Sequence, residues 1–209
     1  MEDRPDPKTR STHRTLEIST VVLLSITAVV TAWCGFEASK WGGEMSIAFS
    51  QASSARVQAA SAKATSEAAR QYDLTIYTQW VLAEADGDAE LVSFIEERFS
   101  DEFAVAFDAW NDEDRVSLGP FAMDEYVPPG TLEAEELNAR ADAKFDQALV
   151  NNQRGDDYAL LTVLFALVLF FAALSQNQRA VWRRLTFVVL SGVIAVAGIL
   201  TLVTFPIKI

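Results

Sequence analysis

The side chains in this sequence that could do chemistry are almost all carboxylates: 29 Asp and Glu against 17 Lys and Arg, with one His (His13) and one Cys (Cys34) in 209 residues. Glu84, Asp86, Asp88 and Glu90 alternate around Gly87 and match half of a calcium loop. The remaining ligand positions of such a loop, and the bidentate Glu that closes it, do not follow. A turn with Asp88 as N-cap of the next helix accounts for the same residues. Asp156 and Asp157 are a second acidic pair, able to hold a cation or a partner's basic group. A polar stop ahead of an apolar run accounts for them as well. One His and one Cys make neither a zinc set nor an internal disulfide. No Ser-x-x-Lys and no Gly-rich phosphate loop occurs, and no His stands outside the N-terminal tail to serve a nucleophile. A formal net charge of −12 leaves no basic face for nucleic acid. These residues predict no catalytic residue, no metal ligand, no cofactor and no enzyme. A carboxylate-based cation-binding protein or enzyme is the reading they leave open from another class.

Half of the chain is hydrophobic, which conflicts with so much charge unless the two are segregated. Three uncharged runs resolve the conflict: Ile18–Phe36, Ala159–Ser175 and Leu185–Phe205, of 19, 17 and 21 residues. A bilayer core needs about 20 helical residues, so each is a candidate span. No small-x-small cleavage site follows the first run, and Trp33 stands where a lipoprotein signal needs a small residue before its Cys. The run is therefore an uncleaved span. Arg4, Lys8, Arg10 and Arg14 precede it, and Arg179, Arg183 and Arg184 fill the loop between the second and third runs, without an acid in that loop. Both basic segments are expected in the cytoplasm. The organisation is then a cytoplasmic tail at 1–15, transmembrane helix at 16–36, outer domain at 37–157, transmembrane helix at 158–175, basic cytoplasmic loop at 176–184, transmembrane helix at 185–205 and outer tail at 206–209. The outer domain holds 25 of the acids and 9 of the basic residues, a net charge of −16.

The first half of the outer domain reads as a helix continuing from the first span. In a seven-residue frame the a positions are Ala38, Met45, Ala52, Ala59, Ser66, Asp73 and Trp80. The d positions are Trp41, Ala48, Ala55, Ala62, Ala69, Ile76 and Ala83. Twelve of these fourteen are apolar and eight are Ala, with Ser66 and Asp73 as exceptions. That is a coiled-coil-like seam on which a second helix can approach closely. Gly42-Gly43 is its weak point. A second helix is expected from Ala89 to about Trp110, with Leu91, Phe94, Ile95, Phe99, Phe103, Phe107 and Trp110 as an apolar stripe. Gly119-Pro120 and Pro128-Pro129-Gly130 make 111–130 a loop. Its Phe121, Met123 and Tyr126 either lie across the bundle or contact a partner. Thr131 is expected to N-cap a third helix that runs to the second span, with Gly155 as a flex point. Tyr158 marks the edge of that span, beside Asp156 and Asp157.

Three segments carry a resemblance: WCGFEASKWGGE after the first span, PFAMDEY in the loop, and GDDYALLTVLFALVLFFAAL at the second span. Together they resemble a group of uncharacterised bacterial membrane proteins with one N-terminal span, a helical outer segment and a C-terminal pair of spans. The resemblance implies a bacterial cytoplasmic membrane and brings no activity or catalytic residue with it. The expectation is an all-α, multi-pass protein with a non-enzymatic outer bundle for assembly or envelope interaction. Its partners would be the lipid bilayer, a second copy packed through the small-residue seam, or an envelope protein. The alternative is a sensor or accessory subunit that docks on a larger complex through the C-terminal pair of spans.

Overall fold

The computed structural model describes residues 7–178 and 180–208, with side chains from 17 onward. Among these residues there are five α-helices, a single 3-10 turn at Pro120–Ala122 and no strand. The helices are α1 (Pro7–Asp86), α2 (Ala89–Glu96), α3 (Asp101–Asp112), α4 (Thr131–Gln176) and α5 (Val181–Val203). The length of α1 follows from its composition. Pro7 stands at its start, where a missing N–H costs nothing, and the next proline is Pro120. Gly42-Gly43 does not interrupt it. Three helices are long and apolar enough to cross a membrane: α1 in its first part, α4 in its second, and α5. The basic tail of residues 1–15 lies outside the residues whose side chains are described. By its contacts the chain divides into two compact units, 7–48 with 147–208, and 49–146.

In the first unit, α1, the second half of α4 and α5 pack around Cys34, Trp41, Tyr158, Leu161, Phe165, Val168 and Ala195. The buried positions of α1 continue the sequence frame backwards at intervals of seven: Trp41, Cys34, Thr27, Thr20. Gly198 on α5 is a seat for Phe165, whose ring atoms would lie 2.9 Å from a Cβ there. Buried hydroxyls are served by their own helix: Ser175 donates to the Ala172 carbonyl at 2.6 Å and Ser191 to that of Val188 at 2.9 Å. The outward faces carry Val21, Val22, Ile26 and Val29 on α1, Leu160, Val163 and Phe170 on α4, and Val189, Val193 and Val196 on α5. Exposed aliphatic faces of this kind suit lipid, not water. Gly155 stays helical, and a Cβ there would stand 3.5 Å from the Ala38 carbonyl and 3.8 Å from Gly42 N. It marks a close approach of α4 to α1, not a flex point.

In the second unit the seam is filled by the chain itself. All fourteen frame positions of α1 across both units are buried or half-buried. Within 49–146, Ala52, Ala55, Ala59 and Ala62 face α4, which contributes Ala134 and Ala141 to the buried face. Three cross-links fix the register: Arg56 pairs with Asp142 and donates to Asn138 Oδ1 at 2.9 Å, and the hydroxyls of Ser66 and Thr131 meet at 2.8 Å. Thr131 thus spends its side chain on α1 and does not cap its own helix, whose first turn begins on the Gly130 carbonyl. Gly130 has φ +89°, and a Cβ there would lie 2.4 Å from the Ala62 carbonyl oxygen. The stripe expected as one helix from 89 to 110 is two. Ser100 ends the run by capping α3, accepting from Phe103 N at 3.2 Å. The break turns Leu91 and Phe94 outward, while Ile95, Phe103, Phe107 and Trp110 enter the core with Trp80 and Ala83.

Candidate functional site

Two clusters gather the side chains with chemical capacity, one in each unit. In 49–146 the centre is Asp73, an exception in the apolar frame. Its carboxylate is buried and accepts from Ser100 Oγ at 2.7 Å and Tyr126 Oη at 2.9 Å. The three residues tie α1, the cap of α3 and the 111–130 loop to one point. Tyr77 lies at the centre of the rings around them, with centroids of Trp80, Phe103, Trp110 and Phe121 at 5.8, 5.8, 6.3 and 5.6 Å. Each indole N–H is used: Trp80 donates to Glu96 at 2.9 Å and Trp110 to the Ser117 carbonyl at 2.8 Å. Burial pushes the Tyr126 hydroxyl well above the usual phenol range, and the Asp73 carboxylate adds to this through its hydrogen bond and its charge. Burial likewise raises Tyr77.

Phe121, Met123 and Tyr126 therefore lie against the core of this unit. The half calcium loop is a turn: Asp88 caps α2 by accepting from Leu91 N at 3.1 Å, and Glu84 pairs with Arg115 at 3.6 Å. No group of three or more His, Cys, Asp or Glu side chains is arranged to hold a metal ion among the described residues.

In the first unit the cluster forms where the apolar parts of α1 and α4 end and α5 gives way to 205–208. Glu37 is fully buried. Its Oε2 accepts the backbone N–H of Lys208 at 2.9 Å, and its Oε1 has no partner. Trp41 follows one turn later with its indole N–H also buried and unpartnered. The face of Trp41 carries two cations, the Arg154 guanidinium at 5.1 Å and the Lys208 ammonium at 5.6 Å from the ring centroid. Lys208 also reaches Glu44 at 3.6 Å. Tyr158 is fully buried, donates to the Pro206 carbonyl at 3.1 Å and meets the Phe205 ring at 5.4 Å. A cavity of about 310 Å³ opens beside these residues, lined by Val150, Gln153, Arg154, Asp157, Tyr158, Phe205 and Pro206. Asp156 is exposed and accepts from Asn152 at 3.1 Å, and Asp157 accepts from Gln153 at 3.0 Å.

Of the residues singled out by sequence, Trp41, Asp157 and Tyr158 meet in this cluster. Glu37, Arg154 and Lys208 join them without having been singled out. For Glu37 there was a signal: it lies three residues after Cys34 and four before Trp41, on the face that the seven-residue frame buries. Neither a family model, nor a curated protein, nor a solved structure matches this chain.

Proposed function

We propose that this chain is a multi-pass protein of the bacterial cytoplasmic membrane, with 37–157 outside, and that its acidic helical domain works by contact with an envelope partner and not by catalysis. The orientation is supported by the basic tail and the acid-free basic loop at 176–184. The contact reading rests on one observation, the loop after α3. Val116 is 84% exposed and Leu118 is fully exposed, although the loop around them is tightly tied. The Ser117 carbonyl accepts from Trp110, the Ser117 hydroxyl donates to Glu113 at 3.0 Å, and Arg115 lies over both Trp80 and Trp110 at 5.2 Å. Asp114 and Arg115 have φ of 55° and 59°, a left-handed conformation uncommon in residues other than glycine, above all for two in succession. A rigid loop that presents two aliphatic side chains beside Glu113 and Asp114 suits a partner surface that is apolar at its centre and basic at its rim.

The seam is not the contact face in this reading, since α4 already covers it. The test is a photocrosslinking residue at position 118 of the full-length protein in its own cells. One discrete adduct is expected, lost with Val116→Glu and missing when the crosslinker is placed at exposed Gln58. No adduct at 118, or the same adducts at both positions, would overturn the reading.

A further inference from the structure

The cavity at 150–158 and 205–206 has features of a built binding site. Arg154 has its guanidinium over Trp41, yet among the described residues it makes neither a hydrogen bond nor an ion pair. A planar guanidinium held against an indole with its N–H groups uncommitted is oriented for a bidentate oxyanion. One turn along α4, Asp157 lines the same cavity and keeps one carboxylate oxygen beyond its bond to Gln153. Val150, Phe205 and Pro206 supply apolar walls. The location adds a further constraint. Tyr158 immediately precedes the apolar run 159–175, and Phe205 closes the run 185–205. The cavity therefore lies at the level where two candidate spans leave the hydrocarbon, which is where phospholipid headgroups lie.

A free anion would be repelled by Asp157 and would gain nothing from the apolar walls. A headgroup that carries both a phosphate and a primary ammonium satisfies both charges, and its glycerol end is accommodated by the walls. We propose that this cavity seats the headgroup of an aminophospholipid of the phosphatidylethanolamine type, with its phosphate on Arg154 and its ammonium on Asp157. The site needs the three spans but not the partner contact at 116–118, so each can fail without the other.

The test is native mass spectrometry of the full-length protein, extracted in mild detergent from vesicles holding equal parts phosphatidylethanolamine and phosphatidylcholine. Wild type is expected to retain one phosphatidylethanolamine in preference to phosphatidylcholine. Arg154→Gln should lower that retention at least tenfold, Arg154→Lys should keep part of it, and Asp157→Asn should remove the preference between the two lipids. Lys63→Gln, in the other unit, should change nothing. Helical content by circular dichroism accompanies each variant, and the Lys replacement keeps the comparison readable if the Gln variant fails to fold. Equal retention in wild type, Arg154→Gln and Arg154→Lys would overturn the proposal. So would displacement of the bound lipid by millimolar soluble phosphoethanolamine, which would make this a site for a soluble ligand.

Discussion

Asp73 and Glu37 are both buried carboxylates on α1, 36 residues apart, and their surroundings differ. Asp73 is enclosed by donors from two other segments, and the two indole N–H groups near it are likewise paired. Glu37 receives one backbone N–H, while its second oxygen and the neighbouring Trp41 N–H have none. The third buried atom without a partner among the described residues, Arg184 Nε, also lies in the unit of 7–48 and 147–208. A buried polar group left unpaired costs roughly 1–3 kcal/mol, more if charged. The unit around Asp73 has no such buried side-chain atom among the described residues. The unit around Glu37 carries unmet donors and acceptors, as sites that take something from outside commonly do.

This contrast can be broken by substitution. The largest effect is expected from Asp73→Ala, which strands Ser100 and Tyr126 and should destabilise the unit by about 3–5 kcal/mol. Near-ultraviolet circular dichroism of the full-length protein during denaturation would report it through the ring cluster, and an unchanged midpoint would remove Asp73 from its central place. Gly130→Ala should follow at about 2–3 kcal/mol, since it combines a left-handed φ with a clash on a backbone carbonyl. A thermal shift no larger than that of a surface Ser→Ala control would show that the 130 turn can move away from Ala62.

The matched pair Asp73→Asn and Glu37→Gln sharpens the comparison directly. The first should cost about 1–3 kcal/mol, because one hydroxyl donor loses its acceptor. The second should change stability by less than about 1 kcal/mol, because the amide oxygen still accepts from Lys208 and the oxygen it replaces was unpaired. Equal costs would mean that the two carboxylates are served alike. The smallest effect concerns pH. Tyr126 is raised in the folded state, so its contribution is fully present below the ordinary phenol value near 10. It is lost as pH rises beyond that, when the unfolded chain releases its proton and the folded chain does not. Tyr126→Phe should make the alkaline decline in melting temperature shallower, and an identical slope would assign the decline to other groups.

The seam was legible because its period is strict: the positions from Ala38 to Ala83 are the ones the structure buries. The frame's extension to Cys34, Thr27 and Thr20 was not, because a span is apolar all round and conceals which face is covered. Asp73 was visible only as an exception, since its partners Ser100 and Tyr126 stand 27 and 53 residues away. The break between α2 and α3 was hidden by aromatic spacing that runs through it, while Ser100, an ordinary capping residue, marked it. Thr131 had the right type for an N-cap, and Ser66 across the seam took its hydroxyl instead. Arg154 looked like one charge among many on a polar helix. Its position over Trp41 joins residues more than a hundred places apart, which no local pattern carries.

The hydrogen bond from Lys208 to Glu37 bridges 171 residues of sequence. During synthesis Glu37 follows the first apolar run out of the ribosome, and Lys208 emerges only after the last. The Glu37 carboxylate must therefore wait through the making of every other helix before this donor reaches it. Until then its Oε2 lacks the donor that the folded chain supplies. Closure by 205–208 therefore depends on α4 and α5 having been made first, and it is written in a single hydrogen bond.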